Sequence, residues 1–133
     1  MNPRYPQVAL RAGSRCEYCH APAAVFNFLF EVEHITPVAR EGTDDAANLA
    51  LACRSCNAHK STRTEGVDPE QGMTVRLFHP RSDVWEHHFR VEDETARIVG
   101  LSAEGRATII CLEMNNPTQS AARQYWLQFG LFP

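Results

Sequence analysis

The chain has 133 residues, of which 44% are hydrophobic and 22% are charged, and this composition is typical of one compact globular unit. No apolar run approaches the roughly 20 residues of a membrane-spanning helix, and the first residues lack the apolar core of a secretory signal, so we expect a cytoplasmic protein without a membrane partner. The net charge of −3 argues against a protein that coats nucleic acid without regard to sequence.

The first half of the chain is predicted to contain two helices and two strands. The first helix is amphipathic and ends at Gly13, and the first strand is favoured by its valine and phenylalanine content. The expected elements are a helix over residues 5–12, a strand over residues 25–32, a polar loop over residues 40–47, a strand over residues 48–53 and a helix over residues 54–62.

The second half is predicted to add strands first and helices afterwards. The expected elements are a turn-rich connection over residues 65–72, a strand over residues 74–78, a hairpin formed by residues 84–91 and 96–101, and helices over residues 102–114 and 118–129. This order predicts an α+β fold, with a core in residues 1–65 and a C-terminal extension of a hairpin and two helices in residues 66–133 packed on it.

Four of the five cysteines form two Cys-x-x-Cys pairs that are suited to a structural zinc ion. In a reducing cytoplasm such pairs favour zinc over disulfides, and four thiolates complete a tetrahedral site that leaves no position for a substrate. The 33 residues between the pairs exceed the usual spacing of about 15–20 residues. The predicted ligands are Cys16, Cys19, Cys53 and Cys56, and the fifth cysteine, Cys111, is expected to pack in the core.

The segment between and around these pairs carries a second pattern. It consists of Glu33-His34-Ile35-x-Pro37, then Asn48-Leu49, then Cys53-x-x-Cys56-Asn57-x-x-Lys60. In order and spacing it resembles the HNH endonuclease family, over roughly residues 10–63. Glutamate stands where aspartate or histidine is commoner in the family, and Asn57 stands in place of the last histidine.

The resemblance implies a ββα core with a metal ion and hydrolysis of phosphodiester bonds in DNA. His34 is the expected general base, since imidazole titrates near neutral pH. Glu33 and Asn57 offer oxygen ligands that suit a catalytic Mg²⁺ or Mn²⁺ better than zinc. The resemblance gives Asn48 the task of holding the base histidine by a hydrogen bond. Phosphate contacts are expected from Lys60, Arg54 and Arg63.

Each residue of this pattern also has a possible structural role without catalysis. A glutamate beside a histidine at a strand end is often a surface pair, and Asn48 and Asn57 are common in turns and at helix starts. The alternative function is a zinc-ordered module that binds nucleic acid or protein without catalysis. The extension is expected to shape either the substrate groove or a homodimer interface, and the sequence does not choose between them.

Overall fold

A computed structural model describes all 133 residues. Its helices and strands, in chain order, are α1 (Tyr5–Arg11), β1 (Glu31–His34), β2 (Leu49–Ala52), α2 (Arg54–Lys60), β3 (Glu65–Val67), β4 (Thr74–Arg76), α3 (Trp85–His88), β5 (Phe89–Val91), β6 (Ile98–Gly100), α4 (Ala103–Cys111) and α5 (Pro117–Gln128). Helices combined with three small antiparallel strand pairs confirm the predicted α+β class. None of the helices is long and apolar enough to pass through a lipid bilayer.

The first half of the chain is a strand pair with a helix on it. β1 and β2 are antiparallel, with Glu31 opposite Ala52 and His34 opposite Leu49. β2 is buried along its whole length, and α2 follows it after Cys53 and packs back on both strands. α1 lies against the same pair, where the Arg11 guanidinium donates to the Leu49 carbonyl at 2.5 Å. This arrangement places the end of β1 beside the end of α2.

The second half packs two further strand pairs around helix α4. β3 pairs with β4, β5 pairs with β6, and α4 contacts β3, β4 and β6. The fully buried Asp68 carboxylate accepts two hydrogen bonds of 2.9 Å from Arg106 of α4, which fixes the loop after β3. Ser102 caps α4 by accepting from the Gly105 amide, as its position in the sequence predicted.

Aromatic side chains join the two halves. Phe78 and Phe89 are buried with ring centroids 5.2 Å apart, and Trp85 packs on Phe89 at 5.0 Å. The Trp85 indole donates to the Tyr18 carbonyl at 2.8 Å, which links α3 to the first cysteine pair. The extension therefore shares a hydrophobic core with the first half of the chain.

The predicted strand over residues 25–32 is wrong for most of its length. The chain forms a 3₁₀ turn at Ala23–Val25, and β1 begins only at Glu31. Phe26 turns inward and packs on Phe30 and Trp126, with centroids 4.9 and 5.8 Å away. This inward clustering breaks the alternation that a longer strand needs.

Two other predicted segments also differ. Residues 65–67 were expected to be a connection, but they form β3 because β4 supplies a pairing partner. Residues 85–88 were expected to start a hairpin strand, but they form a helical turn. Trp85 and Phe89 are four residues apart, so a helical turn brings them into the contact described above. The actual hairpin is shorter and consists of β5 and β6.

Candidate functional site

The four paired cysteines meet in one buried cluster. All their sulfur atoms lie within 4.8 Å of one another, and the Sγ atoms of Cys19 and Cys53 are 3.7 Å apart. Four sulfurs at about 2.3 Å from a tetrahedral zinc ion would be separated by about 3.8 Å. Each of the four residues is at most 2% exposed. The donor set and its spacing fit the structural zinc ion that the sequence predicted.

Local backbone geometry prepares the cysteines to act as ligands. The Cys19 amide donates to the Cys16 sulfur at 3.5 Å, and the Cys56 amide donates to the Cys53 sulfur at 3.4 Å. Burial raises the pKa of the Cys16 thiol well above its ordinary value. Because burial disfavours isolated thiolates, a bound cation would stabilise the deprotonated form of the cluster.

The Glu33 carboxylate and the Lys60 ammonium form a buried ion pair. Lys60 Nζ lies 2.5 Å from Glu33 Oε1 and 2.9 Å from the Ile35 carbonyl oxygen, and both side chains are almost fully buried. The Tyr18 hydroxyl donates to the other carboxylate oxygen at 2.8 Å. Burial raises the pKa of the Glu33 carboxyl, and Lys60 offsets part of that effect. The Lys60 ammonium is enclosed by protein oxygens in this structure, so the phosphate contact predicted for it would require the ammonium to leave them.

Asn48 ties the end of β1 to the loop that follows it. Its side chain accepts from the Thr36 amide at 2.8 Å and donates to the carbonyls of Thr36 at 3.0 Å and Thr43 at 2.7 Å. None of these bonds reaches His34, so the expected direct contact with the histidine is absent. Asn48 instead fixes the loop on which Asp44 lies.

Asp44 is the residue that holds His34. The two side chains form a hydrogen bond of 2.7 Å between His34 Nε2 and Asp44 Oδ1. The His34 side chain is 23% exposed and that of Asp44 is 77% exposed, so the pair is open to solvent. Hydrogen bonding from His34 lowers the pKa of the Asp44 carboxyl. The second ring nitrogen of His34, Nδ1, makes no hydrogen bond within the protein.

Comparison with protein families identifies the segment that carries these residues. Residues 16–63 match the model of the HNH endonuclease family. We refer to this matched segment as the HNH domain. No curated protein and no solved structure matched the chain. The match indicates a nuclease or nucleic-acid-binding function, and it spans all four zinc ligands together with the Glu33–Lys60 and His34–Asp44 pairs.

The remaining predicted residues of the HNH domain lie on or just after α2. Asn57 is half-buried on α2. Arg54 is exposed, with its guanidinium 4.2 Å from the centroid of the Phe28 ring. Arg63 is also exposed and donates to the His59 carbonyl at 3.3 Å. These placements leave all three side chains within reach of a ligand.

Sequence reasoning missed three side chains of the site. Asp44 lay in a segment interpreted only as a polar loop, and Tyr18 lay inside the first cysteine pair. Gln119 is 100 residues from Cys19 along the chain. No spacing rule connects residues that far apart, whereas the acidic pair Asp44-Asp45 near a histidine was a signal that could have been used.

Gln119 of α5 contacts the zinc cluster from the extension. Its Nε2 lies 3.9 Å from the Cys19 sulfur and 3.8 Å from the Cys53 sulfur, so it donates to one cysteine of each pair. Arg123, one turn further along α5, is fully buried and bonds the carbonyls of Met114 and Ala96 at 2.6 and 3.1 Å. Together they hold α5 against the cluster.

We expect Gln119→Leu to weaken zinc binding by about 10- to 100-fold, the usual effect of removing a hydrogen-bond partner of a metal ligand. Leucine fills similar space but cannot donate to the sulfurs. Competition with a chromogenic zinc chelator measures the affinity. Gln128→Leu, on an exposed turn of the same helix, is the matched control and should bind zinc as the parent does. Equal affinities for the two variants would contradict the contribution of Gln119.

Proposed function

We propose that the chain is a metal-dependent endonuclease that hydrolyses phosphodiester bonds in DNA. The observation that carries this proposal is the His34–Asp44 pair, exposed at the end of β1 within the HNH domain. A reducing compartment such as the cytoplasm would keep the four zinc-binding thiols in the form that the cluster requires.

His34 acts as the general base in this proposal. With Asp44 accepting a hydrogen bond from the Nε2–H group, the neutral ring keeps its lone pair on Nδ1. Nδ1 has no partner in the protein, so it is the nitrogen that removes a proton from the attacking water. Asn48 contributes indirectly, because its bonds to Thr36 and Thr43 hold the loop that presents Asp44.

A catalytic divalent cation, Mg²⁺ or Mn²⁺, would be held by Glu33 and Asn57. When bound, such an ion neutralises charge on the phosphate and on the leaving oxygen. The Glu33 carboxylate suits a hard cation, but Lys60 already supplies a positive charge 2.5 Å from it. The two residues fit the ion only if the Lys60 ammonium moves aside, so we propose that Lys60 and the divalent cation are alternative counter-ions of Glu33.

The primary experiment is a cleavage assay on supercoiled plasmid with a series of added divalent cations. We expect nicked or linear product with Mg²⁺ or Mn²⁺ and none when the added cation is left out. Omitting the cation is preferable to a chelator, which would also remove the zinc ion from the four cysteines. A zinc-loaded, folded protein that cleaves no substrate with any cation would overturn the proposal.

Lys60→Met tests the counter-ion proposal without any substrate. The change leaves Glu33 buried and unpaired, so we expect the free energy of unfolding to fall by about 3–5 kcal/mol. Millimolar Mn²⁺ should then raise the melting temperature of Lys60→Met more than that of the parent. The double variant Glu33→Gln/Lys60→Met is the control and should not respond to Mn²⁺. A single variant that is equally insensitive to Mn²⁺ would argue against a cation at Glu33.

One observation favours a second function, a zinc-ordered module that binds nucleic acid without cutting it. Because Lys60 neutralises the buried Glu33 carboxylate, this carboxylate does not need a catalytic cation as its counter-ion. Such a module would bind DNA through exposed groups such as Arg54 and Arg63 and would show no turnover. The cleavage assay, run together with a binding assay, separates the two functions.

A further inference from the structure

A cavity of about 230 Å³ lies where the extension meets the end of β1. One wall is formed by Thr36, two residues beyond His34, and by Lys60 of α2. Further lining comes from the end of β4 and the segment after it, and includes Arg76, His79 and Ser82. The cavity therefore adjoins the proposed nuclease site, but six of its nine lining residues lie outside the HNH domain.

The imidazole of His79 is held in one orientation. Its Nδ1 accepts the backbone amides of Arg81 at 3.1 Å and Ser82 at 3.3 Å. An acceptor at Nδ1 places the ring hydrogen on Nε2. Nε2 makes no hydrogen bond within the protein, so it is a free donor on a ring that cannot turn without breaking two bonds.

The turn that carries His79 is rigid as well. Asp83 Oδ2 accepts from the His79 amide at 2.9 Å, and the Asp83 amide donates to the His79 carbonyl at 2.9 Å. Two bonds from Arg76 of β4, at 2.6 and 3.1 Å, hold the same carboxylate. The preceding residue, Phe78, is buried, and its amide donates to the Thr108 hydroxyl. The imidazole position is thus set before any ligand arrives.

The polar side chains that line the cavity favour an anionic ligand. No aspartate or glutamate lines the cavity, and every polar side chain on its walls is able to donate a hydrogen bond. The donors without a carboxylate partner are the hydroxyls of Thr36, Thr64 and Ser82 and Nε2 of His79, while Lys60 is paired with Glu33 and Arg76 with Asp83. A phosphodiester, whose two non-bridging oxygens share one negative charge and only accept hydrogen bonds, matches such a lining.

We propose that His79 is a substrate-contact residue whose Nε2–H group donates to a phosphate oxygen of the DNA strand at this cavity. This inference rests on the proposed function and adds to it a residue from the extension. It gives the extension a direct part in holding the substrate beside His34.

His79→Asn is the test variant and His87→Asn is its matched control. Asparagine keeps an acceptor at the position of Nδ1, so the turn amides of Arg81 and Ser82 remain bonded, but it lacks the outer donor. His87 is exposed on α3 and does not line the cavity. Melting temperature and zinc content of both variants should equal those of the parent.

Binding is measured by fluorescence anisotropy with a labelled DNA duplex and the zinc-loaded protein, with no other cation added. We expect His79→Asn to bind about tenfold more weakly or worse, as for loss of a hydrogen bond to a charged group, and His87→Asn to bind as the parent does. In the parent, the imidazole nitrogen resonances of His79 should shift on addition of the duplex while those of His87 do not, which provides a readout that needs no variant.

The outcomes separate this inference from the nuclease proposal. If the parent cleaves plasmid but His79→Asn binds as tightly as His87→Asn and the His79 resonances stay in place, the inference is wrong and the nuclease proposal stands. If the His79 variant and resonances respond but the parent never cleaves, the phosphate contact stands without catalysis. A parent that neither binds nor cleaves DNA overturns both.

Discussion

Replacement of His34 by alanine is expected to slow plasmid cleavage by about 100- to 10,000-fold, the range over which a positioned general base contributes to catalysis. The reason is that His34 lies at the exposed end of β1, and its hydrogen bond to Asp44 leaves the other ring nitrogen without a partner in the protein. Single-turnover cleavage of supercoiled plasmid in Mg²⁺ or Mn²⁺ gives the rate. The side chain is partly exposed, so zinc content and melting temperature should not change.

Asp44→Asn, measured in the same cleavage assay, tests whether the Asp44 carboxylate assists His34. Asparagine can still hydrogen-bond His34 but no longer stabilises the positively charged ring that forms when the base takes up a proton. We therefore expect a rate between those of the parent and His34→Ala. His87→Ala, at an exposed position on α3, should cleave as the parent does. Cleavage by His34→Ala at the parental rate would show that the base is another group.

The parts of the fold that the sequence predicted well are those set by local rules. Gly13 adopts a positive φ of 63° just after α1, and Ser102 caps α4. Each signal acts within a few residues, so it needs no knowledge of the rest of the chain. The predictions failed where contacts between distant parts of the chain determine the local structure. β3 forms because β4 pairs with it, and Phe26 turns inward because its ring packs on Trp126.

In the candidate site, too, local sequence signals predicted some features, and others depend on tertiary contacts. Cysteine spacing was sufficient to predict the metal cluster, because one tetrahedral ion requires four thiolates at a single point. Spacing was not sufficient for Lys60, whose side chain extends inward from α2 to Glu33. A lysine on α2 can point outward to a phosphate or inward to a carboxylate, and the choice depends on how deeply that carboxylate is buried. That depth is a property of the packed strand pair.

Asp44 and Gln119 could not have been assigned from their sequence positions. Each acts through a contact that exists only after a loop or a helix has been placed by other residues: Asn48 places the loop of Asp44, and Arg123 helps to place α5. The candidate site therefore combines residues of the HNH pattern, which the sequence reveals, with side chains that reach the site only in the complete fold.

Replacement of Cys53 by serine is expected to abolish tight zinc binding and to unfold the protein. A structural zinc ion bound by four thiolates supplies about 10–16 kcal/mol of apparent binding free energy, whereas domains of this kind are stable by only about 5–15 kcal/mol in total. Cys53 also caps α2, and its sulfur accepts from the Cys56 amide and from Gln119. Loss of this one ligand therefore disturbs α2, α5 and the first cysteine pair together.

Cys111→Ser is the matched control for that experiment, since Cys111 is half-buried at the end of α4 and lies outside the metal cluster. Zinc content by atomic spectroscopy and thermal unfolding by circular dichroism distinguish the two variants. We expect Cys111→Ser to retain one zinc ion and its melting transition, and Cys53→Ser to lose both. A Cys53→Ser protein that remains folded without zinc would mean that the shared aromatic core alone holds the HNH domain and the extension together, and that the cysteine cluster is not what stabilises the fold.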